Sequence, residues 1–287
     1  LIKFYQNYKI NNYKIKSKII YMNYLKIFLL LVLLILFYQL TVSNYVENFS
    51  ETNAKNFLQI GHEAGTDKIF HHGYDRYYPM FLNNIRNMED AMLEIGIDRT
   101  HSLKLWLDYF PKAFIYGLDI GVELEQERVK VFKADQSNIN DLINVRNIIT
   151  KPIRFIIDDG SHIPEHQILT FDYFFRNLLQ PGGVYIIEDI EVSYWTKNGC
   201  YGYASNYGYK NPTSLIEHTK SLVDTINGEF LTDYAKEDNK ISLGKISKET
   251  SEMISSMTYG QNCIIFVKKI PEEMKYLNRP YRNAANL

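Results

Sequence analysis

The sequence predicts an α/β fold, a doubly wound and mainly parallel sheet of seven strands, preceded by an N-terminal hydrophobic helix. Three observations predict it. From residue 91 to residue 267, short apolar runs of strand length alternate with longer segments of helical period, the pattern of successive strand–helix–strand units. The short runs are rich in Ile, Val and Phe, residues that suit a buried strand. Acidic residues stand at the ends of five of these runs, where an open parallel sheet gathers its ligands.

Composition narrows the class. A chain of 287 residues holds one large α/β domain or two small ones, and 46% hydrophobic residues exclude a disordered protein. Thirty-two basic and 33 acidic side chains leave a net charge of −1, so no global field favours nucleic acid, which is set aside as a partner. Cys200 and Cys263 are too few for a disulfide framework and lack metal-ligand spacing. A homo-oligomer is compatible with this composition.

Residues 1–26 form a basic tail, with Lys3, Lys9, Lys14, Lys16, Lys18 and Lys26 and no acid. The apolar run that follows reads IFLLLVLLILFY from Ile27 to Tyr38 and extends weakly to Val42. Residues 27–42 are therefore expected to be a transmembrane or signal segment, near the lower limit of about 17 residues for a spanning helix. A single-pass membrane anchor is preferred, with secretion as the alternative if the segment is cleaved near Ser43. Met22 is a candidate start. Residues 43–54 read as a polar linker, 55–90 as a helical N-terminal addition, 91–270 as the main domain and 271–287 as a C-terminal tail.

Strands are expected at 91–95, 115–118, 129–132, 153–157, 184–187, 241–243 and 263–267, and helices at 102–109, 138–148, 165–178 and 214–227. The residues after each strand carry the chemistry. Glu94 and Gly96 close the first, Asp119 the second, Asp135 follows the third, Asp158-Asp159 end the fourth and Glu188-Asp189 the fifth. Helix capping explains Asp135 well, but it strains to explain all five. Asp119 is placed to accept from both hydroxyls of a ribose. A dinucleotide site needs G-x-G-x-x-G, whereas Gly96 to Ser102 reads GIDRTHS and offers one glycine.

Longer motifs add a resemblance. DDGSH at 158–162, PGGVYIIED at 181–189 and SYW at 193–195 resemble the class I S-adenosylmethionine-dependent sugar O-methyltransferases of the macrocin and mycinamicin type. GTDK at 65–68, HGY at 72–74, LEIG at 93–96, SLKLW at 102–106, DYFP at 108–111 and YGLDI at 116–120 are similar too, in order, between Gly61 and Lys269. The resemblance implies a Rossmann-like class I fold, an S-adenosylmethionine site, a divalent cation (usually Mg2+), and a sugar or glycosylated small molecule as acceptor.

By the same resemblance Asp159, Glu188 and Asp189 are the metal ligands and His162 the base, with Glu191 as a second base candidate. The cofactor set is Glu94, Gly96, Ser102, Asp119 on the ribose, Asp135 and Gln136 near the adenine edge, and Asp158. This makes chemical sense, because a sugar hydroxyl titrates far above neutral pH and gains from a metal and a nearby base. Lys68, His72 and Tyr74 read either as part of a lid or as a plain surface helix. The Gly- and Tyr-rich segment 199–208 reads as a loop able to stack on an acceptor or as an irregular surface loop; Trp106 reads as core, Trp195 as a pocket residue. Two other readings stand beside this one. A hydroxylase-like relative of the same fold, akin to the cephalosporin hydroxylases, would use His162 and His166 on iron, and a membrane-tethered protein of this fold would have lost catalysis.

Overall fold

The computed structural model describes residues 22, 29–39, 55–196, 206–228 and 245–274. The chain divides into two units, Leu1–Lys55 and Asn56–Leu287. In the first, residues 29–39 are helical. No helix among the described residues is long and apolar enough to cross a membrane. This overturns the expected anchor over 27–42. The membrane as partner goes with it, and so does the localisation drawn from the segment.

The second unit is built on one mixed sheet of eight strands: β1 Ala91–Ile95, β2 Phe114–Asp119, β3 Leu124–Gln126, β4 Val129–Lys133, β5 Ile153–Asp158, β6 Leu179–Glu188, β7 Ile254–Gly260 and β8 Cys263–Lys268. Their order is β3-β4-β2-β1-β5-β6-β8-β7. β4, β2, β1, β5 and β6 run parallel, while β3, β7 and β8 pair antiparallel with their neighbours. Strand order reverses between β1 and β5, the position where open α/β sheets open a crevice. Ile95 is level with Leu118 on one side and Asp158 on the other, and Asp158 is level with Ile187. The acids that follow these residues therefore reach one edge of the sheet together.

The eight helices that matter are α1 Phe57–Ala64, α2 Asp67–Phe70, α3 Tyr78–Leu82, α4 His101–Tyr109, α5 Ile139–Ile148, α6 Pro164–Asn177, α7 Leu215–Ile226 and α8 Lys248–Glu252. Their boundaries follow local chemistry. Asn56 and Gln59 form a reciprocal capping box before α1, Asn138 caps α5, Pro164 opens α6 where no amide partner is needed, and Ser214 caps α7. The far end of α6 is held from the sheet. The Lys268 ammonium donates to the carbonyls of Phe175, Arg176 and Leu179 at 2.7, 3.2 and 2.7 Å.

Alternation along the strands gives each face of the sheet its own core. Leu93, Ile156 and Ile187 pack with α6 and α7 residues such as Phe171 and Leu222, whereas Met92, Ile115, Phe155 and Ile157 pack with Phe57, Tyr78 and Trp106 from α1, α3 and α4. Trp106 is fully buried, as core.

Two strands escaped the sequence reading. β3 is three residues long and largely exposed, and β7 (ISSMTYG) is a polar outer strand, so neither shows a strong apolar period. The strand expected at 241–243 lies outside the described residues, as does most of the 199–208 segment.

Candidate cofactor cavity and metal centre

A cavity of about 670 Å³ lies where strand order reverses, lined from β1 by Gly96, from β2 by Asp119, after β4 by Asp135 and Gln136, and after β5 by Asp159 and Ser161. Gly96 is there because nothing larger fits. Its φ is +87°, and a Cβ at this position would lie 2.1 Å from the Asp159 carbonyl oxygen. The rest of the turn keeps its tight path without further glycines by placing Asp98 (φ 41°) and Thr100 (φ 65°) in the left-handed region.

Asp119 is fixed by backbone amides. One carboxylate oxygen accepts from Ile97 N at 2.9 Å and Asp98 N at 3.4 Å, the other from Gly121 N at 2.7 Å and Val122 N at 2.8 Å. Burial pushes its pKa up, but these four amides outweigh it and hold the carboxyl below its usual range. Asp135 accepts from the amide and hydroxyl of Ser137 at 2.8 and 2.7 Å.

Two expected cofactor residues sit beneath the cavity instead of lining it. Glu94 is fully buried, accepts from the Ser102 hydroxyl at 2.8 Å, and has its pKa pushed up to about 7 by burial. Asp158 is likewise pushed up by burial, to about 6, and accepts from the Thr170 hydroxyl and from Gln136 Nε2 at 2.8 and 2.9 Å. Gln136 in turn accepts from Ser161 N at 2.8 Å. Both acids thus brace the lining residues Ser102 and Gln136. Sequence reasoning missed Gly65, Thr66, Asp67, Ile120 and His166 as lining residues, although the GTDK motif was already a signal for three of them.

Asp159 lines this cavity and also belongs to a second cluster. Ligand atoms of Asp159, His162 and Asp189 all lie within 4.8 Å of one another. His162 Nε2 is 3.2 Å from Asp159 Oδ1 and 3.7 Å from Asp189 Oδ2. Both His162 (φ 58°) and Asp189 (φ 51°) adopt left-handed backbone, a strain that local structure must impose. Burial works against a charged imidazole, but Asp159 and Asp189 overcome it and raise His162 to about 9. Burial and the neighbouring Asp159 push Asp189 up.

Glu188, the third expected ligand, is not in that cluster. It accepts from the Lys68 ammonium at 2.6 Å and from the Tyr78 hydroxyl. Lys68 is 1% exposed, also donates to Asp159 Oδ2 at 2.6 Å, and stands 3.7 Å from Glu94. Asp189 Oδ1 accepts from the Tyr74 hydroxyl and from Asn262 Nδ2, each at 2.9 Å, and lies 3.4 Å from His72 Nδ1. The segment 55–90 is therefore a packed wall of this centre, with Tyr74 and Tyr78 fully buried. His166 is also outside the cluster, with Nδ1 at 2.8 Å from the Ser161 hydroxyl, so the two-histidine iron site is not assembled.

Glu191 faces a different space. With Tyr194, Lys220, Tyr259 and Asn262 it lines a second cavity of about 340 Å³, and its buried Oε2 has no hydrogen-bond partner. Trp195 lines neither cavity.

No family model matches the chain. Curated proteins do. It is 30% identical over 214 residues to an 8-demethyl-8-alpha-L-rhamnosyl tetracenomycin-C 2'-O-methyltransferase of Streptomyces olivaceus, an alignment that covers 71% of this chain and 52% of the relative. It is 34% identical over 169 residues to demethylmacrocin O-methyltransferase of Streptomyces fradiae (56% and 41%) and 32% identical over 171 residues to mycinamicin VI 2''-O-methyltransferase of Micromonospora griseorubida (56% and 41%). The chain spans about half the length of these relatives. Among solved structures it is similar to the MycE methyltransferase of the mycinamycin pathway in complex with Mg and S-adenosylhomocysteine (SAH), with TM-score 0.62 and 25% identity over 76% of this chain and 55% of that one. A further form of the same complex gives TM-score 0.64 and 24% identity over 79% and 60%. The resemblance to sugar O-methyltransferases, read from short motifs, thus extends to aligned sequence and to the Rossmann-like methyltransferase fold.

Proposed function

We propose that the chain is an S-adenosylmethionine-dependent O-methyltransferase that acts on a hydroxyl of a sugar or glycosylated small molecule, assisted by a divalent cation. One observation carries the reading. The cavity at the strand reversal, large enough for a nucleoside cofactor, is lined in part by Asp159, which it shares with the Asp159–His162–Asp189 cluster. A methyl donor in the first and an activated hydroxyl at the second would meet.

The residues fit both groups. Asp119, held in place by four amides, presents a charged acceptor to a ribose, while Gln136 and Ser102 are braced from below. Asp159 and Asp189 supply the hard oxygens that Mg2+ prefers, and two carboxylates that disfavour each other's charge gain from a cation between them. When bound, such a cation lowers the pKa of a coordinated hydroxyl. S-adenosylmethionine supplies an electrophilic methyl on a sulfonium. His162 Nε2 takes the hydroxyl proton. Without a cation the two aspartates keep His162 protonated at neutral pH, so neutralising them is what frees it to act as a base. The second cavity, with partly exposed Tyr194 and Tyr259 and the unpartnered Glu191 oxygen, is where we place part of the acceptor.

We assign residues 91–270 as the methyltransferase domain, with 55–90 as part of its site. The test is calorimetry of the full chain with S-adenosylmethionine, with and without Mg2+, followed by mass spectrometry over a panel of glycosylated acceptors. Cofactor binding and a methyl increment on a sugar hydroxyl support the reading; no affinity for S-adenosylmethionine or SAH refutes it.

A further inference from the structure

The larger cavity is walled mostly by charge of one sign. Asp67, Asp98, Asp119, Asp135 and Asp159 line it, and Arg99 is the one lysine or arginine among the described residues that do. Arg99 stands in the turn GIDRTHS, from Gly96 to Ser102, whose backbone amides are largely spent inside the protein. Gly96 N donates to Leu118 O at 2.8 Å, Ile97 N and Asp98 N to Asp119 Oδ2 at 2.9 and 3.4 Å, and Thr100 N to Ile97 O at 2.9 Å. What this turn offers a ligand is therefore a side chain. Arg99 is flanked by Asp98 and Thr100, both in left-handed backbone, and its side chain is 83% exposed, with Nε 3.8 Å from the Asp98 carboxylate. An ion pair so open to water holds the guanidinium weakly.

We propose that Arg99 is a cofactor-binding residue that holds the carboxylate at the amino-acid end of S-adenosylmethionine. The proposal rests on the methyl-donor reading above and extends it to the end of the donor that Asp119 and the adenine-side residues leave unaccounted for. S-adenosylmethionine is cationic at its sulfonium and its amine and anionic at its carboxylate. Among five aspartates the two cations meet attraction, whereas the carboxylate meets repulsion everywhere except at Arg99. Reach agrees with charge. With the ribose hydroxyls on Asp119 and adenine toward Asp135 and Gln136, the chain on the 5′ carbon leaves from the other side of the ribose. Asp119 is bonded to the amides of Ile97 and Asp98, and Arg99 is the next residue along. Its planar guanidinium matches a carboxylate with two parallel donors, which a lysine or an amide cannot do. Asp67, at the start of α2, lines the same cavity and suits the neighbouring amine.

Decarboxylated S-adenosylmethionine isolates the contact, because it lacks the carboxylate and keeps the adenosine, the sulfonium and the amine. Calorimetry of the full chain with each of the two ligands, in the parent and in Arg99→Gln, reads the coupling without reference to turnover. Substituting a side chain this exposed leaves the fold intact. Arg99→Gln is expected to lose at least about tenfold in affinity for S-adenosylmethionine, the scale of a charge-assisted hydrogen bond. For the decarboxylated ligand the loss is expected to stay under about twofold, since no contact is removed. Equal losses for the two ligands, or an unchanged affinity for S-adenosylmethionine, overturn the proposal while leaving the methyl-donor reading in place. A parent chain that binds neither ligand overturns that reading, and the proposal with it.

Discussion

Gly96→Ala tests whether the crevice is built as described. Gly96 donates its amide to Leu118 O at 2.8 Å while Asp159 N donates to Ile95 O at 2.8 Å, so the ends of β1 and β5 are tied together directly across the switch point. An added Cβ would stand 2.1 Å from Asp159 O, 2.6 Å from its carbonyl carbon and 2.7 Å from Gly160 Cα, all backbone atoms that no rotamer change can move. The strands must separate by roughly 1 Å to restore contact distance, which costs about 1–3 kcal/mol as overpacking. To this are added about 1–2 kcal/mol for a side chain at positive φ and about 1 kcal/mol for a weakened hydrogen bond between the strand ends. The expected loss is about 3–6 kcal/mol, read as a shift in the urea midpoint with unchanged slope. Gly65→Ala is the internal control: its φ is +72°, but nothing lies within 4 Å of the new Cβ, so it pays only the backbone cost of about 1–2 kcal/mol. Equal midpoints for the two variants would refute the close approach of β1 to Asp159, and with it the reason for a glycine in this turn.

Other expectations follow from the same geometry. Asp119→Ala should weaken S-adenosylmethionine binding by about 1–3 kcal/mol in calorimetry; unchanged affinity removes Asp119 from the cofactor site. Lys268→Met leaves the Phe175 and Leu179 carbonyls without their donor at the end of α6, and should destabilise the chain by about 2 kcal/mol in denaturant; a smaller change than about 0.5 kcal/mol would show that this cap is idle. Glu94 predicts a pH effect. Its folded pKa of about 7 lies above the unfolded 4.5, so the folded state holds the extra proton between those values, and the Glu94 contribution is fully present below pH 4.5 and lost as pH rises through 7. The difference in unfolding free energy between the parent chain and Glu94→Gln should therefore fall by about 3 kcal/mol across that window, and a flat difference curve contradicts the burial of an ionisable Glu94.

How much of this was legible beforehand depends on the range of the interaction. The five strands that carry the site were readable because a buried parallel strand announces itself by continuous apolar sequence, and the helices because their caps, Asn138 and Ser214 among them, are local. β3 and β7 were not, since an outer strand with one polar face has neither signal. The apolar run at 27–42 misled because hydropathy reports composition, whereas crossing a bilayer needs a helix both long and apolar enough, and none is found among the described residues.

Within the site the division is sharper. Acids at strand ends are fixed by the strand that ends there, so their arrival at one edge follows from topology alone. Which of them face the cavity does not. Glu94 and Asp158 occupy the same kind of position as Asp119, yet they are turned beneath the cavity and bonded to Ser102, Gln136 and Thr170. Glu188 meets a partner from farther away still, the ammonium of Lys68, 120 residues earlier in the chain. A carboxylate can serve a metal, an ammonium or a hydroxyl equally well by type, and the donors that reach Glu188 here, Lys68 and Tyr78, come from the N-terminal wall. The motif GTDK carried that information in the sequence, but as a segment without a partner, and partners separated by so many residues are supplied by the packing of α2 and α3 onto the sheet.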